Sequence, residues 1–345
     1  MNGVEKVRHT LITASALVLF IPLTASGNGY GRYPSPLAWS PCDEILLCSL
    51  DDHLVMWTPD DEEVVLFQGE TMSPSFSAGG EYAAFVANSA IHYFQVDHSI
   101  SLRELFHAGS ANALDFDAGG GSANPALCYT REFLGSRLRA TTLEESDVYT
   151  LLPERTDLRL SSPVVSPDGK NIACVRFGSA PGWYEELFLI GDAAPEGGRA
   201  RADSTFEGDS QWHESSPAWL SSDSLVFQMG GWGEWDLWVL DVYTGKDSLL
   251  IENGRQPSSA LDGRLVAFSR RDTFGGAGGT PMWDIPTSVW ILDRHTGYQV
   301  QASPDGVCAK HPAVSSEGEY IAWIEIQGEN EVLSVQRLEE FVSLP

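Results

Sequence analysis

The chain has 345 residues, with 48 Asp and Glu against 21 Lys and Arg, and a formal charge of −27. Hydrophobic residues make up 43% and aromatics 10%, enough to bury a large core, so global disorder is excluded despite the charge. The same charge argues against nucleic acid as a partner, because a duplex is gripped by Lys and Arg that replace phosphate counterions.

Residues 1–27 read as a secretory leader. Lys6, Arg8 and His9 open it, Leu11 to Leu23 form an apolar run of roughly 13 residues, and Ala25-Ser26-Gly27 offers small residues for cleavage. The run is shorter than the roughly 20 residues of a membrane span, and no later segment approaches that length. An uncleaved anchor is the alternative. Residues 28–345 are expected to form a single domain, periplasmic or extracellular.

A short pattern then recurs along the chain. It begins at Pro36 (Pro-Leu-Ala-Trp-Ser-Pro), returns at Pro74, and is clearest from Ser162, where Ser-Pro-Val-Val enters the turn Ser166-Pro167-Asp168-Gly169 and leaves as Ile172-Ala173-Cys174-Val175. Further copies start at Pro217, Pro257 (to Leu261-Asp262-Gly263) and Pro312 (to Ser316-Glu317-Gly318). Between Pro74 and Pro163 a degenerate copy leaves as Ala126-Leu127-Cys128-Tyr129 after the glycines at 119–121. The outgoing strands place a large or soft apolar residue at Cys48, Phe85, Cys128, Cys174, Phe227, Phe268 and Trp323. These seven positions are spaced by roughly 40 to 55 residues, the length of one repeat in a stacked architecture.

Each outgoing strand is followed by another alternating stretch, such as Asp236 to Asp241 or Ser288 to Asp293, then a turn and a short fourth strand. Gly, Pro and Asp at the turns mark β structure throughout. One four-stranded unit cannot bury both faces of its sheet, whereas radially stacked units bury them against each other. The expected fold is therefore all-β: a β-propeller of four-stranded antiparallel blades, seven in number, or six if the degenerate third unit forms no blade. The Ser-Pro-Asp-Gly turn, the Ile-Ala-Phe-like strand and the Leu-Trp-Val-Leu-Asp-like strand resemble the TolB-type, WD-like propeller repeat of extracytoplasmic bacterial proteins, over residues 36–338. TolB itself carries an α/β domain before its propeller, for which residues 28–35 leave no room.

The repeat also reinterprets the five cysteines. Cys48, Cys128 and Cys174 stand where other copies have Phe or Trp, so they are expected to be buried packing residues and not a disulfide framework. Cys42 and Cys308 fall in loops, and no Cys-x-x-Cys spacing supports zinc.

In a four-stranded meander the Pro-Asp-Gly turns share one face, while the loops between second and third strands and between blades share the other. Three of these second-to-third loops are long and aromatic, carrying Trp183 and Tyr184, Trp232 and Trp235, and Phe274 and Trp283. They can form a stacking surface for sugars or peptide side chains, or simply pack their own loops. Just before the first strands lie Arg159, His213, Glu214, Arg255, Gln256, Lys310 and His311, a concentration of cations near the expected channel mouth. A partner's carboxylate or an acidic glycan fits such a mouth, with Arg255 bidentate and Lys310 as a point charge; internal salt bridges are the plainer role.

No Gly-x-Ser-x-Gly elbow, phosphate loop or calcium loop occurs, so an enzyme is the less favoured expectation, and no cofactor or metal is called for. The expected function is a protein- or peptide-binding or scaffolding module, monomeric, acting through the loop-rich face. The alternative is a carbohydrate-active enzyme: the repeat also resembles that of oligogalacturonate lyases, and this resemblance implies a His-bound metal, for which His213 and His311 are the candidates here.

Overall fold

The computed structural model describes residues 35–41, 45–59, 61–96, 101–104, 111, 113–116, 126–131, 137–143, 148–150, 159–178, 184–191, 199–200, 213–231, 234–271, 287–328 and 330–341. The secretory leader expected at 1–27 and Cys42 lie outside the described residues.

Every strand pairs with its sequence neighbour, antiparallel, to give seven separate sheets. Blade 1 holds β1 (Leu37–Trp39), β2 (Leu46–Leu50), β3 (His53–Thr58) and β4 (Asp61–Gln68), and blade 2 holds β5 (Thr71–Phe76), β6 (Tyr82–Ala87), β7 (Ala90–Gln95) and β8 (Arg103–Glu104). The degenerate unit does form its own blade 3, from β9 (Ala113–Phe116), β10 (Ala126–Arg131), β11 (Arg137–Thr142) and β12 (Val148–Thr150). Blade 4 contains β13 (Arg159–Val165), β14 (Asn171–Gly178), β15 (Tyr184–Gly191) and β16 (Arg199–Ala200). Blade 5 contains β17 (His213–Ser221), β18 (Ser224–Gly231), β19 (Glu234–Asp241) and β20 (Asp247–Ile251). Blade 6 contains β21 (Arg255–Ser259), β22 (Leu265–Arg271), β23 (Thr287–Asp293) and β24 (Tyr298–Gln301).

Among the described residues blade 7 has three strands, β25 (Cys308–Val314), β26 (Tyr320–Gln327) and β27 (Asn330–Arg337), after which the chain enters a 3-10 turn at Leu338–Glu340. Leu338 is buried and, with Phe341, packs into the apolar seam between blades 6 and 7, while its amide donates to the Glu319 carbonyl. The chain is thus drawn inward by apolar burial where another unit would lay down its outer strand.

The core is seven inter-blade seams, because each sheet buries its faces against its two neighbours. Blades 1 and 2 close over Leu47, Leu54, Phe76 and Phe85, and blades 5 and 6 over Leu220, Leu237, Val266 and Phe268. The ring closes at the blade 7 and blade 1 seam, where Leu46, Cys48 and Val55 pack on Ala322, Ile324 and Leu333. There the Trp39 indole Nε1 donates to the Ala313 carbonyl at 3.1 Å. Trp219 makes the same bond to the Val164 carbonyl, at 3.0 Å, between blades 5 and 4. Cys48, Phe85, Cys128, Cys174, Phe227, Phe268 and Trp323 are all buried, as the repeat requires. The cysteines among them are free thiols, and burial pushes those of Cys48 and Cys174 well above the usual range.

The turn face repeats one device. In blade 4 the Ser166 hydroxyl donates to Asp168, the Gly169 amide closes on the Ser166 carbonyl, and Gly169 adopts φ 72°. Ser77, Ala260 and Ser315 head the same turn in blades 2, 6 and 7. Glycine is required at its positive-φ position because a Cβ there is sterically penalised.

A candidate binding site at the strand-start face

Local backbone chemistry builds the opposite face. In five blades the residue before the strand-entry proline has positive φ: Ser73, Ser162, Ser216, Gln256 and His311, all between 49° and 52°. At each, the ladder between first and second strand shifts register, so one residue is left out of the pairing. Proline supplies no N–H and disfavours the right-handed helical region in its predecessor, and a bulge accommodates both. Three copies carry Ser at this point, whereas blades 6 and 7 carry Gln and His.

Gln256 and His311 are thereby linked across a blade boundary. The Gln256 amide donates to Gln228 Oε1 at 2.9 Å, and Gln228 Nε2 donates to Ser215 Oγ at 2.7 Å. Gln256 Oε1 accepts from the His311 amide and the Ser269 hydroxyl, each at 3.1 Å. Its Nε2 lies 3.0 Å from His311 Nδ1, which accepts when the imidazole is neutral. Burial, aided by the nearby Lys310 charge, lowers the His311 pKa to about 4, so it is neutral at pH 7. The side-chain amide of each blade thus holds the bulge of the next, from blade 5 through blade 7.

Beside this relay sits an aromatic and cationic corner. His213, Gly230 and Trp235 are aligned across the first three strands of blade 5. The Trp235 ring lies 6.2 Å from that of His213, and the Arg255 guanidinium from blade 6 sits 5.9 Å over the same indole. Trp235 is 9% exposed, so it serves as a wall that orients Arg255. Burial, reinforced by the like charge of Arg271, lowers the Arg255 pKa to about 10; it stays charged at neutral pH but is poorly hydrated. Charge-assisted hydrogen bonds from an arginine to an anion are stronger than neutral ones.

The other expected site residues separate. Lys310, two residues before its proline as Arg255 is before its own, lies within electrostatic reach of His311 and Glu331. Glu214 is buried, and its Oε2 accepts from the Leu187 amide of blade 4 at 2.9 Å, which makes it a seam residue. Arg159 and Tyr184 open β13 and β15, and their side chains are outside the described residues, as are Trp183, Trp232, Phe274 and Trp283 altogether. Sequence reasoning missed Gln228, Ser215, Ser269 and Arg271. The recurring residue before proline was a readable signal for the bulge, but nothing in a strand interior such as Phe227-Gln228-Met229 marks its amide as the acceptor for the next blade.

No protein-family model and no curated protein sequence matches this chain. Solved structures do match in shape. An oligogalacturonate lyase from Vibrio parahaemolyticus aligns over 90% of this chain and 92% of its own, with a TM-score of 0.65 and 10% identity. The fold is a seven-bladed β-propeller, and the likeness to this lyase is one of shape. An oligogalacturonate lyase in complex with manganese aligns over 90% of both chains, with a TM-score of 0.64 and 12% identity. TolB from Acinetobacter baumannii aligns over 89% of this chain and 61% of its own, at 0.49 and 13%. Identities this low establish architecture alone. Among the described residues no three His, Cys, Asp or Glu side chains converge as a metal site. His213 faces Trp235, while His311 is bonded to Gln256.

Proposed function

We propose that this chain is an extracytoplasmic, non-catalytic propeller that binds a protein or peptide through the face on which its first strands begin, using Arg255 to receive an acidic group. The observation that supports this reading most is Arg255, a half-buried guanidinium held against Trp235 in a strongly acidic protein. Lys310, Gln256 and His311 extend the same face across the next blade, with Gln256 and His311 locked by mutual hydrogen bonds, so the surface is preorganised. The aromatic loops carrying Trp183, Tyr184, Trp232, Phe274 and Trp283 belong to this face by chain order and would form its rim. Among the described residues no helix is long and apolar enough to cross a membrane.

The test compares the full chain with an Arg255→Gln/Lys310→Gln variant, each tagged and used to recover partners from envelope extracts, with thermal unfolding to confirm that both are folded. Loss of the recovered partner is expected; equal recovery by a folded variant overturns the reading. The alternative of a His-dependent metal lyase predicts stoichiometric manganese or a related ion in the purified protein and activity on acidic oligosaccharides. The engagement of His213 with Trp235 and of His311 with Gln256 supports the binding reading over this one.

A further inference from the structure

The outer edges of the blades are not alike. An exposed edge strand presents unpaired backbone N–H and C=O groups, and proteins blunt such edges by shortening them, bulging them or placing charges and prolines along them. Over the described residues β8 and β16 have two residues each and β12 has three, and β24 has four. β20 has five residues and a register shift, and β4 has eight residues but two register shifts. β27 has eight residues, pairs with β26 at every position without a shift, and has no proline. Among the described residues no strand pairs with its other side. Its sequence, Asn-Glu-Val-Leu-Ser-Val-Gln-Arg, is rich in β-formers, with one acid near its start and one base at its end.

We propose that this edge is an interface between two copies of the chain, which pair antiparallel through β27 about a two-fold axis at Ser334. Self-complementarity carries the choice of partner. With Ser334 opposite its own counterpart, Glu331 of each copy faces Arg337 of the other, and Leu333 faces Val335 of the other. Opposite charges and apolar pairs directly across a ladder are the stabilising combinations. Leu333 and Val335 share the face that packs on blade 1, so the apolar layer of that seam would continue into the second copy. Burial, with the like charge of Asp51 within hydrogen-bonding reach, raises the Glu331 pKa, and a facing arginine would counter that repulsion. One strand pair buries less surface than a permanent dimer, so association is expected to be weak and concentration-dependent, and a dilute sample monomeric.

Sedimentation velocity of the full chain between about 1 and 200 µM, the range in which weak homodimers form, should show a reversible shift toward dimer. Glu331→Arg and Arg337→Glu should each abolish the shift, and the double exchange should restore it, which separates pairing from misfolding. Directly opposed Cβ atoms approach to about 5 Å, so Ser334→Cys should cross-link to itself on mild oxidation. Val332→Cys and Gln336→Cys should cross-link only when mixed. A monomer throughout, cross-linking of Ser334→Cys no faster than that of the exposed control Gln299→Cys, or a double exchange that fails to restore association overturns the proposal. So does slow amide exchange along β27 in the monomer, which would mean that this chain covers the edge itself.

Discussion

The two faces of the ring use the same kinds of residue to opposite effect. On the turn face, acids are paired. Asp293 is 2% exposed and accepts from Arg264 Nη2 at 2.7 Å and from the His295 amide at 2.9 Å, which lowers its pKa to about 2. Asp241, at the matching turn of blade 5, accepts from the Thr244 and Tyr243 amides and is lowered for the same reason. On the strand-start face the displaced groups are bases, Arg255 and His311, and burial, reinforced by a neighbouring like charge, lowers them. Hydrogen bonds that favour a charged form stabilise the fold, whereas burial that disfavours one costs stability and leaves the group responsive to a ligand. The turn-face acids therefore fasten turns within their own blades, while the strand-start face carries the buried bases.

The contrast can be broken most strongly at Asp293. Replacement by Ala should cost about 3 kcal/mol in equilibrium denaturation, because it leaves Arg264 and two turn amides without their acceptor. The difference from the parent should shrink as the pH falls from about 4 toward 2. A carboxylate with a depressed folded pKa contributes stability above its unfolded pKa and loses it on descending through the folded one. His311 should show a comparable effect in another window. Its folded pKa of about 4 lies below the ordinary imidazole value, so the unfolded chain binds the extra proton between pH 6.5 and 4. Stability should therefore fall by about 2 kcal/mol on acidification across that window, and His311→Gln should flatten the profile. Arg255→Gln sharpens the comparison from the binding side. It should change unfolding stability by less than about 1 kcal/mol, in either direction, since a poorly hydrated cation is removed, yet abolish partner recovery. The smallest effect is expected for Asp241→Asn, about 0.5 kcal/mol by denaturation, because its turn is exposed and only amide bonds are weakened.

The seams were the most legible part of the sequence. Cys48, Phe85, Cys128, Cys174, Phe227, Phe268 and Trp323 recur because every blade must fill the same gap against its neighbour, and that demand acts on single positions. The site was half legible. The strand-entry prolines could be counted, and Gln256 and His311 fell in the expected channel mouth, but positive φ at the residue before proline follows from the paired second strand and cannot be seen in one strand alone. Glu214 shows the converse: beside His213 it read as part of a charged mouth, yet its side chain bonds the backbone of blade 4. The inward turn after β27 was equally hidden. Leu338 and Phe341 resemble any alternating stretch until the seam that receives them is in place.

Sequence alone determined the repeat, the β character of its units and the positions of the buried residues, since these depend on local turn chemistry and on a packing demand repeated in every blade; that the degenerate third unit forms its own blade was decided by the structure. Tertiary structure decided which side chains meet. Gln228, Gln256 and His311 lie in three successive blades, Trp235 and Arg255 in two, and Trp39 reaches Ala313 from the other end of the chain. Such contacts arise only when the ring closes, because closure, not sequence spacing, brings the edge of one blade against the side chains of the next.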